Sequence, residues 1–455
     1  MDNPRLVLVS IFSVAVLAIA LASAQENAPS GHELLGKYPY DMFEKPGKCL
    51  TCHTDIYRQW EQSMMSQAYT HHWDEIEYFD LAVRHASINP ELKPVVDGCN
   101  GCHTPLAYMA GDVTPPRPEE NSRANESVAC DVCHTITGTG TEPPVNFSYT
   151  ISPGRTKYGN REGVESPEHD TVYSDFIQEA VFCGTCHNEQ DPYGIWVKST
   201  QLEWEEGPYS AQGVPCHVCH MPTAPGKSAK MSEYHEDVAQ HLFHGAHDPG
   251  KVGGAIELRI HPEVRETEPG YPVVLTVQAF NGKCGHKVPS GSVEDRIMWL
   301  HVEAVDADGN THHLPVDRIG FEGEEYTIAD DEARAYFDLG EILEIPDFGG
   351  LPRDGVPAGD RIFRMPYFDP LGRMTICQWN TASLGVDYRI GPRETKIETY
   401  TWNLPDDLPE GMVTVTATMY YSKLVRPVGE FLEVPEDELE AVFVNRAETS
   451  FEVYY

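Results

Sequence analysis

Positive charge is scarce in this sequence of 455 residues: 33 lysines and arginines stand against 71 aspartates and glutamates, a formal net charge of −38. That balance excludes nucleic acid as a partner, because a phosphate backbone is held by clustered Lys and Arg. Long apolar runs are scarce too. The one run, residues 6–24 (LVLVSIFSVAVLAIALASA), follows a short stretch containing Arg5 and ends Ala22-Ser23-Ala24 before Gln25. This is the pattern of a signal peptide with a small-residue cleavage site, so residues 1–24 read as a signal peptide. The run is nearly long enough to span a bilayer, so an uncleaved anchor is the alternative, and only then would the chain meet a membrane. On either reading the remainder is exported, to the periplasm or the cell surface and exterior. The acidic excess reads as a solvated surface that keeps such a protein soluble.

Twelve cysteines are present, and ten fall into five pairs, each followed at once by histidine. They are Cys49-Leu-Thr-Cys52-His53, Cys99-Asn-Gly-Cys102-His103, Cys130-Asp-Val-Cys133-His134, Cys183-Gly-Thr-Cys186-His187 and Cys216-His-Val-Cys219-His220. C-x-x-C-H is the attachment pattern of c-type haem. The two thiols form thioethers with the porphyrin, and the next residue then lies under the iron as its proximal ligand. Zinc sites have no reason to place His directly after every pair. Thioredoxin-like motifs come singly, and a disulfide framework would not fix the spacing five times. The pattern predicts five covalently attached c-type haems between residues 31 and 250. So little protein cannot wrap each haem separately. The haems must supply much of the apolar core and lie close together, as an electron-conducting row requires.

The haem segment reads as helical and loop-rich. Tyr57, Trp60, Met64 and Ala68 recur at helical spacing within a predicted helix Asp55–Trp73, followed by another over Asp74–Ser87. Ser174–Val181 leads helically into the fourth motif. Pro and Gly crowd residues 111–118 and 138–167, which read as surface loops. After Gly253 the character changes. Segments 255–260, 272–280, 297–305, 395–402, 413–421 and 450–454 are rich in β-branched and aromatic residues, and several alternate apolar with polar. The expected fold is therefore α+β: a signal peptide (1–24), a helical and loop-rich pentahaem cytochrome domain (25–250) and an antiparallel β-sandwich-like domain (251–455).

These motifs resemble multihaem c-type cytochromes related to the tetrahaem electron carrier of hydroxylamine oxidation. The resemblance rests on Tyr57-Arg-Gln-Trp60-Glu-Gln-Ser63 after the first motif, Cys102-His103-Thr-Pro105, Val128-Ala-Cys130, Phe182-Cys183 and Cys219-His220-Met-Pro222. It extends to His241-Leu-Phe-His-Gly-Ala-His247, to Gly285-His286-Lys-Val-Pro-Ser-Gly291 and to Tyr388-Arg-Ile-Gly-Pro-Arg-Glu394. It is specific for haem attachment and architecture, less so for physiological role, because relatives include carriers, enzyme subunits and extracellular conduits.

Twenty histidines leave fifteen beyond the five in the motifs as candidates for the second axial position. The resemblance points to His169, where relatives often place a haem-binding His. His241 and His247 lie in a His-rich segment that also holds His244. His286 lies in the Gly-His-x-x-Pro loop, from which the β domain would reach back to cap a haem; the bland alternative is a turn histidine. His71, His72, His85 and His217 are open candidates. Where many relatives carry a ligating His after Trp-x-x-Ser, this sequence has Met65. A thioether there would raise the haem's potential relative to a bis-His neighbour; alternatively Met64 and Met65 pack against porphyrin. Cys284 and Cys377 remain, and export permits a disulfide between them.

The leading expectation is an electron-transfer protein whose partners are redox proteins or copies of itself, in one variant a subunit of an extracellular conduit or filament. The competing one is a multihaem oxidoreductase acting on a small nitrogen or sulfur compound at one haem with an open position. No C-x-x-C-Lys motif occurs.

Overall fold

The computed structural model describes residues 32–318 and 326–455; the expected signal peptide lies outside the described residues. The fold is α+β, with short helices dominating the first part and antiparallel sheets the second. Among the described residues, no helix is long and apolar enough to cross a membrane.

Each C-x-x-C-H motif lies on or at the end of a short helix: Pro46–Leu50, Lys93–His103, Cys130–Cys133, Ala180–His187 and Cys216–His220. Helical pitch puts residues three and four apart on one face, so two cysteines and the following histidine point the same way. The segment expected as one helix over Asp55–Trp73 is broken into Thr54–Glu61, Met64–Gln67 and a third helix, His72–Glu75. Ser63 is extended and its hydroxyl donates to the Trp60 carbonyl at 2.7 Å, which satisfies a helix-end acceptor and ends the first piece. Next comes a π-helical turn, Ile76–Ala82, then Val83–Ile88.

Residues 138–167, expected as surface loop, are partly interior. Strands Ile136–Thr139 and Tyr149–Ile151 pair antiparallel, and Val145, Phe147, Tyr149 and Ile151 are buried. The reason is local. The Phe147 ring lies where a Cβ on Gly101 would come within 2.4 Å, so the second motif's glycine makes room for it. Tyr149 donates its hydroxyl to the Gly101 carbonyl at 2.9 Å.

The β-rich part is two packed sheets. In the smaller, strand Pro272–Phe280 lies between Thr395–Asn403 and Glu257–Pro262, antiparallel to both. In the larger, Val442–Val453, Gly411–Ser422, Ile297–Val305 and Thr311–His313 follow in order, also antiparallel, and Arg361–Phe363 pairs with Ile297–Val305. Alternating residues Val273, Leu275 and Val277 of one sheet share a core with Leu300, Val302, Val413 and Val415 of the other. Each such side chain contributes about 1.5–3 kcal/mol by leaving water. Strand Ile297–Val305 is apolar on both faces at its start. Met298 and Leu300 face the sandwich, whereas Ile297 and Trp299 join Trp73, Tyr78 and Leu81 of the helical part in a second core. That shared core fixes the β-rich part against the second motif.

Candidate haem-binding site

The motif cysteines approach each other across motifs. The thiols of Cys49 and Cys130 lie close together, as do those of Cys183 and Cys216 and those of Cys102 and Cys186. The first motif therefore adjoins the third, the second adjoins the fourth, and the fourth adjoins the fifth.

Three motif histidines face a second imidazole. His53 faces His169 with ring centroids 6.3 Å apart and planes at 26°; His134 faces His241 at 6.2 Å and 25°; His220 faces His286 at 6.3 Å and 19°. An ion midway, at the roughly 2 Å metal–nitrogen distance typical of imidazole ligands, lies between rings whose centroids are about 6 Å apart. Every one of these six rings places Nδ1 on a backbone carbonyl. His53 donates to Ser228 at 2.6 Å, His134 to Tyr158 and His220 to His244 at 2.7 Å each. His169 donates to Asp170 at 3.2 Å, His241 to Ala239 at 3.0 Å and His286 to Lys287 at 2.7 Å. Such a bond fixes the proton on Nδ1 and leaves the Nε2 lone pair free for iron. Burial pushes His220 and His241 down to about 4, which keeps these rings neutral, the form that ligates. The donor set fits c-type haem.

His103 and His187 differ. Among the described residues, no imidazole faces either at that spacing. His103 donates Nδ1 to the Ala68 carbonyl at 2.8 Å, with Asp74 3.4 Å away. Burial disfavours its charged form, but Asp74 outweighs this and raises its pKa. A pocket beside His103 is lined by Tyr69, Glu77 and Tyr78 on one side and by Gln378 and Trp379 of the β-rich part on the other. Burial also lifts the coupled carboxyls of Glu77, Glu294 and Asp295, the last to about 7. His187 is pushed down to about 4, first by burial and then by Lys198 and Arg296.

The remaining candidates fall elsewhere. Met65 lies in the helix Met64–Gln67, and its carbonyl accepts the Val128 amide at 3.0 Å, which seats this helix beside the third motif. His247 is buried edge-on to His71, centroids 5.1 Å apart, and its Nδ1 has no hydrogen-bond partner. His71 hydrogen-bonds Glu438 through Nε2 at 3.1 Å, and the Asp74 carboxylate lies 3.1 Å from its Nδ1 without hydrogen-bond geometry. His72 is exposed. His85 accepts the Trp379 indole N–H on Nδ1 at 3.1 Å, which leaves the proton on Nε2 and withholds that lone pair from iron. His217 is half-buried, and His244 serves through its carbonyl. The expected disulfide is corrected: Cys284 and Cys377 are both free thiols. Cys284 lies near Lys251, Lys283 and Cys219, whereas Cys377 is fully buried in the other core, where its amide donates to the Thr375 hydroxyl at 2.8 Å.

Of the residues that seat His286, Lys287, Ser290 and Arg389 lie in segments that carry the resemblance, whereas Glu203 carried no sequence signal. Glu203 accepts from Ser290 Oγ at 2.7 Å, from the Lys287 amide at 3.2 Å and from Arg389 at 2.7 Å. Arg389 is clamped in turn by Asp387 at 2.9 Å. One buried carboxylate of the helical part thus holds the loop that carries His286.

Comparison with known proteins bears on the fold and on the first three motifs. Residues 48–135 match the family described as cytochrome c554 and c-prime. A penta-heme cytochrome c552 from Thermochromatium tepidum superposes with a TM-score of 0.62 at 19% identity, over 91% of this chain and 100% of that one. A CARDB domain from Pyrococcus furiosus matches at 11% identity over 44% of this chain and 91% of that one, with a TM-score of 0.18. No curated protein matches. In fold the chain is similar to a penta-heme cytochrome, and across its first three C-x-x-C-H motifs it matches a c-type cytochrome family.

Proposed function

We propose that this chain is an exported electron-transfer protein holding five c-type haems, one at each C-x-x-C-H motif, within a cytochrome domain of residues 25–250 that a β domain of residues 251–455 clasps. The observation that carries it is the set of three imidazole pairs 6.2–6.3 Å apart, each ring tethered through Nδ1. In this reading His53 and His169, His134 and His241, and His220 and His286 are axial pairs. When bound, each haem supplies a reversible one-electron centre. The chain's own residues hold the rings oriented, and the contacts between cysteines of different motifs bring the attachment edges together. Electrons enter from and leave to redox proteins or further copies of this chain, in the periplasm or outside the cell.

A second reading rests on the absence of a facing imidazole at His103 among the described residues and on the acid-lined pocket there. It makes the second site an open position where a small nitrogen or sulfur compound is turned over, with Glu77 and Asp295 as proton sources. Electronic spectra and electron paramagnetic resonance of the purified protein separate the two. The carrier reading expects at least three low-spin bis-imidazole haems, and His286→Ala should convert one to a high-spin, carbon monoxide-binding centre. A spectrum unchanged by His286→Ala would remove the axial role of that residue. A native high-spin haem that binds carbon monoxide moves the balance to the second reading.

A further inference from the structure

Outside the haem segment, two histidines and an aspartate converge on the face of the larger sheet. His301 lies on strand Ile297–Val305, past the point where Ile297 and Trp299 enter the shared core. His313 lies on strand Thr311–His313, directly opposite Glu303, so that His301 and His313 share one sheet face. Asp360 arrives from the turn before Arg361–Phe363. Gly359 permits that turn: its φ is +89°, and a Cβ there would meet Pro315 at 2.7 Å. The Asp360 backbone is fixed at both ends, its amide donating to Pro357 at 3.1 Å and its carbonyl accepting from Ala329 at 2.9 Å.

The three side chains then meet. Asp360 is fully buried. His313 Nε2 is 2.8 Å and His301 Nδ1 3.0 Å from Asp360 Oδ1, and the two imidazoles lie side by side, centroids 4.9 Å apart and planes at 12°. One ligand atom from each residue lies within 4.8 Å of the others. Arg361, the nearest guanidinium in sequence, pairs with Glu398 at 2.9 Å rather than with Asp360, whose carboxylate meets the two imidazoles. On its far nitrogen His301 has Glu303 at 3.8 Å, the place where a ligating imidazole's outer carboxylate stands.

We propose that His301 Nδ1, His313 Nε2 and Asp360 bind one divalent transition-metal ion, with zinc favoured. Imidazole and carboxylate suit a borderline-soft dication in tetrahedral geometry, and the exposed His313 and partly exposed His301 leave a fourth position to water. Without the ion, the two ring N–H groups donate to Asp360. With it, those nitrogens give their lone pairs to the metal and their protons leave or move to the other ring nitrogen. The site staples strand Thr311–His313 at the sheet edge to the 359–361 turn, and it is separate from the haems.

The test uses the full-length haem-loaded protein, stripped with a mild chelator, re-exposed to zinc chloride, desalted and analysed for metals. Iron counts haem in the same sample. The wild type should retain one zinc per chain. Asp360→Asn should weaken zinc binding by more than about ten-fold, and so should His313→Gln, whose partly exposed side chain keeps the test interpretable if Asp360→Asn misfolds. The haem absorption spectrum should be the same in all three. Zinc should raise the thermal midpoint of the wild type and leave that of His313→Gln unchanged. Absence of retained zinc in the wild type, or equal retention in wild type and His313→Gln, would overturn the proposal.

Discussion

The helical and β-rich parts solve the same problem with different material. The β-rich part has a core of its own: Val273, Leu275, Val277, Leu300, Val302, Val413 and Val415 are all fully buried between two sheets. The helical part has one compact apolar cluster of its own, around Leu106, Tyr108, Met109 and Tyr149, and shares a second with the β-rich part. Its helices are mostly four to eight residues long, too short to be stable alone. Elements so short are held by what they are attached to. The lesson is that one part is specified by side-chain pattern and the other by where its cofactor is bonded.

The sharpest way to break that contrast is to withhold haem. In a chain made without haem attachment, proteolysis should cut throughout residues 32–250 while the strands between 257 and 453 stay protected, as read by mass spectrometry of the fragments. Equal protection of both parts would end the comparison. Next in size is the joint between them. Glu203→Ala leaves the buried Arg389 guanidinium without its cross-part partner and should cost about 3–5 kcal/mol in urea denaturation, with a perturbed fifth haem. A smaller effect follows from Asp387. Burial opposes its charge, but Arg389 and Lys287 outweigh burial and hold its pKa well below the ordinary carboxylate value. A depressed folded pKa adds stability above the unfolded value of about 4, and that stability is lost as pH falls through the folded value. Asp387→Asn should therefore flatten the acid limb of a stability-versus-pH profile and leave its slope above pH 6 unchanged. The smallest effect is expected at Asp248, whose carboxylate accepts the Lys251 amide at 2.6 Å and caps the helix Pro249–Val252; Asp248→Ala should cost about 1 kcal/mol, measured as a thermal shift.

Legibility in the sequence follows the range of the interaction. The attachment motifs were readable because two thioethers and one ligand must be contiguous. The central strands of the sandwich were readable because alternation is local: 272–280 and 297–305 coincide with strands in the structure. His169, His241 and His286 could be singled out only through a family resemblance and a local excess of histidine, since each lies far along the chain from the ring it faces. The carbonyls of Ala68, Tyr158, Ser228 and His244 that tether the motif histidines left no trace, because any residue offers a carbonyl. The break at Ser63 and the interior path of Phe147 depend on single contacts that periodicity does not register. Cys284 and Cys377 show the opposite failure: composition suggested a pair, but the two thiols belong to different cores.

Those carbonyl tethers have an electronic consequence. A carboxylate behind an axial imidazole pulls it toward imidazolate and makes it a stronger donor, whereas an amide oxygen does so only weakly. The rings at the first, third and fifth motifs all lean on amide oxygens, so under the proposed axial roles their ligand fields would be matched, and differences in potential among those sites would come from the surrounding charge and solvent. His103, with Asp74 3.4 Å from its Nδ1, stands outside that set.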